Sequence, residues 1–149
     1  MKPAAQPSTQ ETVEILNSLL RGELSAVETY RQAITKLAQD PIPELKENEA
    51  CHQKRAEALE REIMNLGGVP AQGSGAWGTF TKLVEGGAAL LGRGPTLAAL
   101  EEGEDIGLAK YKKDINQLTG ATRLFVETDI ITGQQRTHDR MSRVKRMQK

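Results

Sequence analysis

The chain has 149 residues, with 20 Lys+Arg against 20 Asp+Glu and a formal net charge of zero. That length suits one domain with its own core, and the neutral balance gives no electrostatic basis for a nucleic-acid partner. The single cysteine, Cys51, excludes an internal disulfide framework and fits a reducing compartment.

Residues 1–8 read as a polar lead-in, residues 9–145 as one helical domain and 146–149 as a basic tail. Met1-Lys2-Pro3-Ala4 has no apolar signal core, and no apolar run reaches the roughly 20 residues of a membrane span. A cytoplasmic protein without a membrane partner is expected.

Ser8 or Thr9 caps a first helix running to about Gln39. Leu16, Leu20, Glu23, Val27, Tyr30, Ile34 and Leu37 form its inner stripe at alternating spacings of four and three. Asp40-Pro41-Ile42-Pro43 breaks it, because proline removes a donor and restricts the residue before it. A second helix starts at Pro43 or Glu44, carries Leu45, Glu49, His52, Ala56, Leu59, Ile63 and Leu66 inward, and stops at Gly67-Gly68. Val69 to Pro95 is a long connection holding a short helix, Ala76 to Leu91, with Trp77 and Phe80 as packing anchors.

The third helix runs from Thr96 to about Gln117, with Leu97, Glu101, Glu104, Leu108, Tyr111, Ile115 and Leu118 inward. The fourth spans about Ala121 to Val144, with Leu124, Thr128, Ile131, Gln135, His138 and Met141 inward. The spacing therefore predicts an all-α four-helix bundle with a long, helix-containing crossover between helices two and three. No alternating, β-branched run competes with it.

One motif occurs twice. Gly22-Glu23, six residues, then Tyr30 recurs as Gly103-Glu104, six residues, then Tyr111. Glu49-x-x-His52 follows the first copy and Gln135-x-x-His138 the second. Carboxylate, then carboxylate-x-x-His, stated twice, is the ligand pattern of a two-metal site in a four-helix bundle, here with glutamine in one glutamate position. Acids and imidazoles on inner stripes need partners, since an unpaired buried carboxylate costs several kcal/mol. Metal coordination is one solution; a metal-free hydrogen-bonded network is the other.

Counted from the turn at Asp40-Pro41, Glu23 lies about 10 Å further out than Glu49 or His52 at 1.5 Å rise per residue. Glu28 is closer to their level but one residue off the stripe, so both stay open as the first helix's carboxylate. Glu104 is nearly level with Gln135 and His138.

At these residues the chain resembles a bacterial ferritin-like family of four-helix-bundle proteins, one of the domain-of-unknown-function families. The resemblance rests on Arg21-Gly22-Glu23 through Tyr30-Arg31, Leu66-Gly67-Gly68-Val69-Pro70 and Ser74-Gly75-Ala76-Trp77-Gly78-Thr79-Phe80. It continues in Glu102-Gly103-Glu104 with Gly107-Leu108 and Tyr111, then Gln134-Gln135 with Thr137-His138. It implies two iron or manganese ions held by Glu49, His52, Glu104 and His138, with Glu23 or Glu28 and Gln135 completing the shell. Tyr30 and Tyr111 would bond the ligating carboxylates, and any chemistry would be ferroxidase-like, linked to oxygen or peroxide. The alternative expectation is a metal-free structural or interaction module, homodimeric through the crossover helix.

Overall fold

The computed structural model describes residues 6–74 and 92–148. Its elements are α1 (Thr9–Lys36), α2 (Pro43–Asn65), α3 (Arg93–Asp114) with a 3₁₀ turn at Ile115–Gln117, and a last rod in three parts. The rod joins α4 (Gly120–Phe125), a π-helical stretch (Val126–Ile131) and α5 (Thr132–Met147). All regular structure among the described residues is helical.

Each boundary has a local cause. Ser8 Oγ accepts the Glu11 N–H at 3.0 Å, and a Glu11 carboxylate oxygen accepts the Ser8 N–H at 3.3 Å, a reciprocal capping box. Pro43 opens α2, where its missing N–H costs nothing. Gly67, at φ +82°, supplies the left-handed residue that ends it.

Side-chain pairs set the helix directions. Asn17 bonds Val69 and Arg31 bonds Glu49, so α1 and α2 are antiparallel. Tyr30 meets Glu104 while Glu23 meets Tyr111, so α3 is antiparallel to α1. Lys145 meets Glu101 while Gln134 meets Glu104, so α5 is antiparallel to α3. The order is up, down, down, up. α2 and α3 are parallel, so the chain ends flanking residues 66–92 lie at opposite ends of the bundle. The expected crossover helix, with Trp77 and Phe80, lies outside the described residues.

The core has two apolar layers. Ala26, Tyr30, Ala33, Leu45, Leu97, Leu100, Met141 and Val144 form one; Leu16, Leu20, Leu59, Ile63, Tyr111, Leu118, Val126 and Ile130 help form the other. Between them lies a slab of fully or nearly fully buried polar side chains: Glu23, Asn48, His52, Arg55, Glu104, Gln134 and Thr137.

The last rod departs from the expected stripe. Leu124 is 60% exposed and Thr128 is exposed, while Val126, Ile130, Gln134, Thr137, Met141 and Val144 are buried. The expected stripe starts on Leu124, which lies off the inner face before the π-helical stretch Val126–Ile131 begins. A π turn widens the helix locally, so the inward positions step by four twice, from 126 to 130 to 134. A four-three pattern started at Leu124 is out of phase from its first residue and reaches Gln135 and His138, each one residue past the buried Gln134 and Thr137. Among the described residues, no helix is long and apolar enough to cross a membrane.

Candidate functional site

The middle slab is built around His52. Its Nδ1 lies 2.7 Å from Glu23 Oε2 and its Nε2 lies 2.8 Å from Glu104 Oε2. Carboxylate oxygens only accept, so both contacts are satisfied together only by a doubly protonated ring. Burial alone would lower the pKa of His52, but Glu104 and Glu23 outweigh that and the opposing Arg55, leaving it raised.

Arg55, one turn along α2, donates from Nε to Glu23 Oε1 at 3.0 Å and from Nη2 to Gln134 Oε1 at 2.8 Å. Its Nη2 also lies 2.7 Å from His52 Nδ1. Both atoms are donors in this protonation state, so that approach is a cation–cation contact held by the acids on either side. Burial would raise the pKa of Glu23; Arg55 and His52 overcome it and hold the carboxyl at about 2. Glu104 is likewise lowered, against its burial, chiefly by His52.

The tyrosines explain the repeated motif. Tyr111 donates to Glu23 Oε1, and Tyr30 donates to Glu104 Oε2 at 2.5 Å. Each tyrosine thus serves the glutamate of the other copy, a crosswise exchange that antiparallel α1 and α3 allow. Burial first, then the adjacent glutamate, pushes both phenols well above 10, so they stay protonated and donate. Tyr30 also stacks on His52, with ring centroids 5.4 Å apart.

The remaining acceptor sites are filled from the last rod. Thr137 Oγ1 and Gln134 Nε2 donate to Glu104 Oε1 at 2.8 and 2.9 Å. Asn48 Nδ2 donates to Tyr30 Oη at 3.0 Å and to the Thr137 carbonyl at 3.1 Å. Arg140 Nη1 donates to Asn48 Oδ1 at 2.7 Å, linking the slab to the surface.

The structure thus brings together Glu23, His52, Glu104, Tyr30 and Tyr111 and separates the other expected ligands. Glu49 accepts from Arg31 Nε at 2.9 Å near the surface. Its place in the slab is taken by Asn48, one residue earlier. Glu28 is exposed and accepts from Ser74 at 3.1 Å. Gln135 bonds Asp139 at 2.8 Å, and His138 sits between Asp105 and Asp139 at 2.5 and 3.1 Å. Their inward places belong to Gln134 and Thr137. The expected 10 Å offset of Glu23 is also corrected. α1 ends at Lys36 and α2 begins at Pro43, so counting both from Asp40-Pro41 includes loop as helix. Counted from the helix ends, the offset is about 6 Å, which extended side chains span.

Arg55, Asn48, Gln134 and Thr137 do not stand out in the sequence pattern. Arg55 had a signal: at i+3 from His52 it shares that residue's face.

A two-metal centre needs donors that converge on common points. Here the imidazole separates the acids, since each of its nitrogens faces a different carboxylate. The cation beside Glu23 is a guanidinium. The charges of Glu23 and Glu104 against Arg55 and His52 sum to zero, so the slab holds no surplus negative charge for a dication. Among the described residues, no group of three or more His, Cys, Asp or Glu side chains is arranged to hold an ion. These residues do not fit the dinuclear group.

Fold and site together define an all-helical bundle with a charge-balanced acid–base layer at mid-height. Residues 11–117, which cover α1 from Glu11 onward together with α2 and α3, match the model of a family described as a domain of unknown function, DUF2383. The chain belongs to that family. No curated protein and no solved structure matches it. Gln134 and Thr137 lie beyond the matched residues.

Proposed function

We propose that this protein is a metal-independent bundle of ferritin-like topology, acting as a structural or interaction module. In this reading Arg55 and His52 take the electrostatic role that metal ions fill in two-metal carboxylate bundles. The observation that carries it is the neutral quartet of Glu23, Glu104, His52 and Arg55, joined by contacts of 2.7–3.0 Å. The up, down, down, up order supports the ferritin-like assignment, because that topology needs one long connection between parallel second and third helices.

The partner in this reading is a second copy of the chain. Met64, Val69 and Leu124 are large apolar side chains at least 55% exposed. They fall at the end of the bundle where α2 finishes and the last rod begins.

The test is metal analysis of protein purified without chelator, with melting measured before and after chelation and after aerobic loading with iron or manganese. Metal well below one equivalent per chain and an unchanged melting curve are expected. About two equivalents, with stability lost on chelation, would overturn the proposal. Sedimentation across a concentration series checks the dimer, and a strict monomer would remove that part.

A further inference from the structure

Arg55 carries an atom that the polar slab does not use. Its Nη1 is buried and has no hydrogen-bond partner among the described residues, although Nε and Nη2 are both engaged. A buried guanidinium donor left unpaired costs about 1–3 kcal/mol or more, so its position needs a cause. Nη1 lies beside Gly133: a Cβ built on that glycine would sit 3.1 Å from Nη1 and 3.0 Å from Arg55 Cδ. Glycine at this point gives the arginine room to pack against the rod.

Both residues line a cleft of about 310 Å³ between α2 and the last rod, together with Cys51, Lys54, Asp129 and Arg136, among others. Lys54 and Arg136 are exposed, flank the floor from the two helices, and pair with no carboxylate among the described residues. Asp129 lies in the π-helical stretch, a distortion that recurs at functional sites.

We propose that this cleft binds a small tetrahedral oxyanion that still carries a proton, namely hydrogen phosphate. Lys54 and Arg136 supply the charge, and Arg55 Nη1 supplies a directed donor from the floor past Gly133. Asp129 repels a fully deprotonated anion but accepts a hydrogen bond from a P–OH group. Near neutral pH phosphate keeps that hydroxyl and sulfate has none. The cleft therefore selects phosphate over sulfate. The site goes beyond the module proposed above and requires only that Arg55 keep its place in the core.

The test is calorimetric titration of the chelated full chain with inorganic phosphate, then with sulfate, in a buffer free of both, alongside thermal melting. Expected are one phosphate per chain, sulfate at least about tenfold weaker, and melting raised by roughly 5 °C at saturating phosphate. Lys54→Gln with Arg136→Gln, both surface changes, should abolish the heat while leaving unliganded melting in place. Gly133→Ala, which caps the floor, should weaken binding with both cations intact. No phosphate binding, binding that survives the double variant, or equal binding of sulfate would each overturn the proposal. Because every arm uses metal-free protein, failure here is distinguishable from failure of the metal-independent reading, which metal analysis decides.

Discussion

Replacing Arg55 with methionine tests the charge-balanced core most directly. Methionine keeps most of the aliphatic stem that packs against Gly133, so the loss is chiefly the guanidinium. Glu23 would keep His52 and Tyr111 but lose the 3.0 Å bond from Nε, and Gln134 Oε1 would lose its 2.8 Å donor. The slab would pass from neutral to a net charge of about minus one. Breaking a buried ion pair by removing one partner typically costs about 3–5 kcal/mol, because the other charge stays buried and uncompensated. For a chain of this size that is a fall in melting temperature of roughly 6–20 °C. The cost also has a pH signature. In the parent protein Glu23 is held at about 2 against an ordinary 4.5. Its ionised form therefore contributes stability that is fully present above 4.5 and is lost as pH falls through about 2, on the order of 3 kcal/mol. Without Arg55 most of that contribution is gone, so parent and variant should differ most near pH 7 and converge on acidification. Urea unfolding of both proteins at several pH values measures this. A gap below about 1 kcal/mol, or one that stays constant with pH, would refute the internal ion-pair account.

The tyrosine exchange makes a pairing prediction. Tyr111→Phe and Tyr30→Phe should each cost about 1–3 kcal/mol by leaving a buried carboxylate short of a donor. Double-mutant cycles should couple Tyr111 with Glu23 and Tyr30 with Glu104, and show little for the within-copy pairs; the reverse pattern would refute the crosswise arrangement. His52, with its pKa raised above 6.5, contributes stability that is complete below 6.5 and is lost as pH rises through its folded value. Parent stability should therefore decline on the alkaline side, and a His52→Gln variant should lack that decline when unfolding is followed across pH. His138→Ala should change stability by about 1 kcal/mol at most, since its ion pairs lie at the surface. A loss as large as that of His52→Ala, measured by the same urea titration, would contradict its placement outside the slab.

How far the sequence reaches depends on how regular each helix is. On α1, α2 and α3 a constant period holds, and Glu23, Tyr30, His52, Glu104 and Tyr111 all lie inward as their spacing requires. The lapses there are Glu49, whose four-three position falls at the edge of the stripe where Asn48 proves more central, and Glu101, which bonds Lys145 near the surface while Leu100 is buried. On the last rod the period fails at a single place. The π turn, which has no sharp sequence signature, makes the face step from Ile130 to Gln134, and the stripe counted from exposed Leu124 misses that face until Met141. Arg55 was hidden for another reason. An arginine beside a stripe normally reads as a solvated residue, and only the glycine opposite it, on a helix separated by 78 positions, makes room for the stem to lie inside.

That combination gives the polar core its character. A ligand pattern read from spacing alone asks which residues face inward, whereas a metal centre asks for surplus negative charge converging on one point. Replacing Glu49 by Asn48 and His138 by Thr137 at the inner positions removes one carboxylate and one imidazole from the expected set. Moving Gln135 outward in favour of Gln134 leaves an amide that bonds both Glu104 and Arg55. What remains is two acids, and Arg55 with protonated His52 matches them charge for charge. The same helices, stripes and repeated Gly-Glu-x6-Tyr motif are therefore compatible with a core that needs no ion. The decisive residue is the one whose charge has the sign of a metal's.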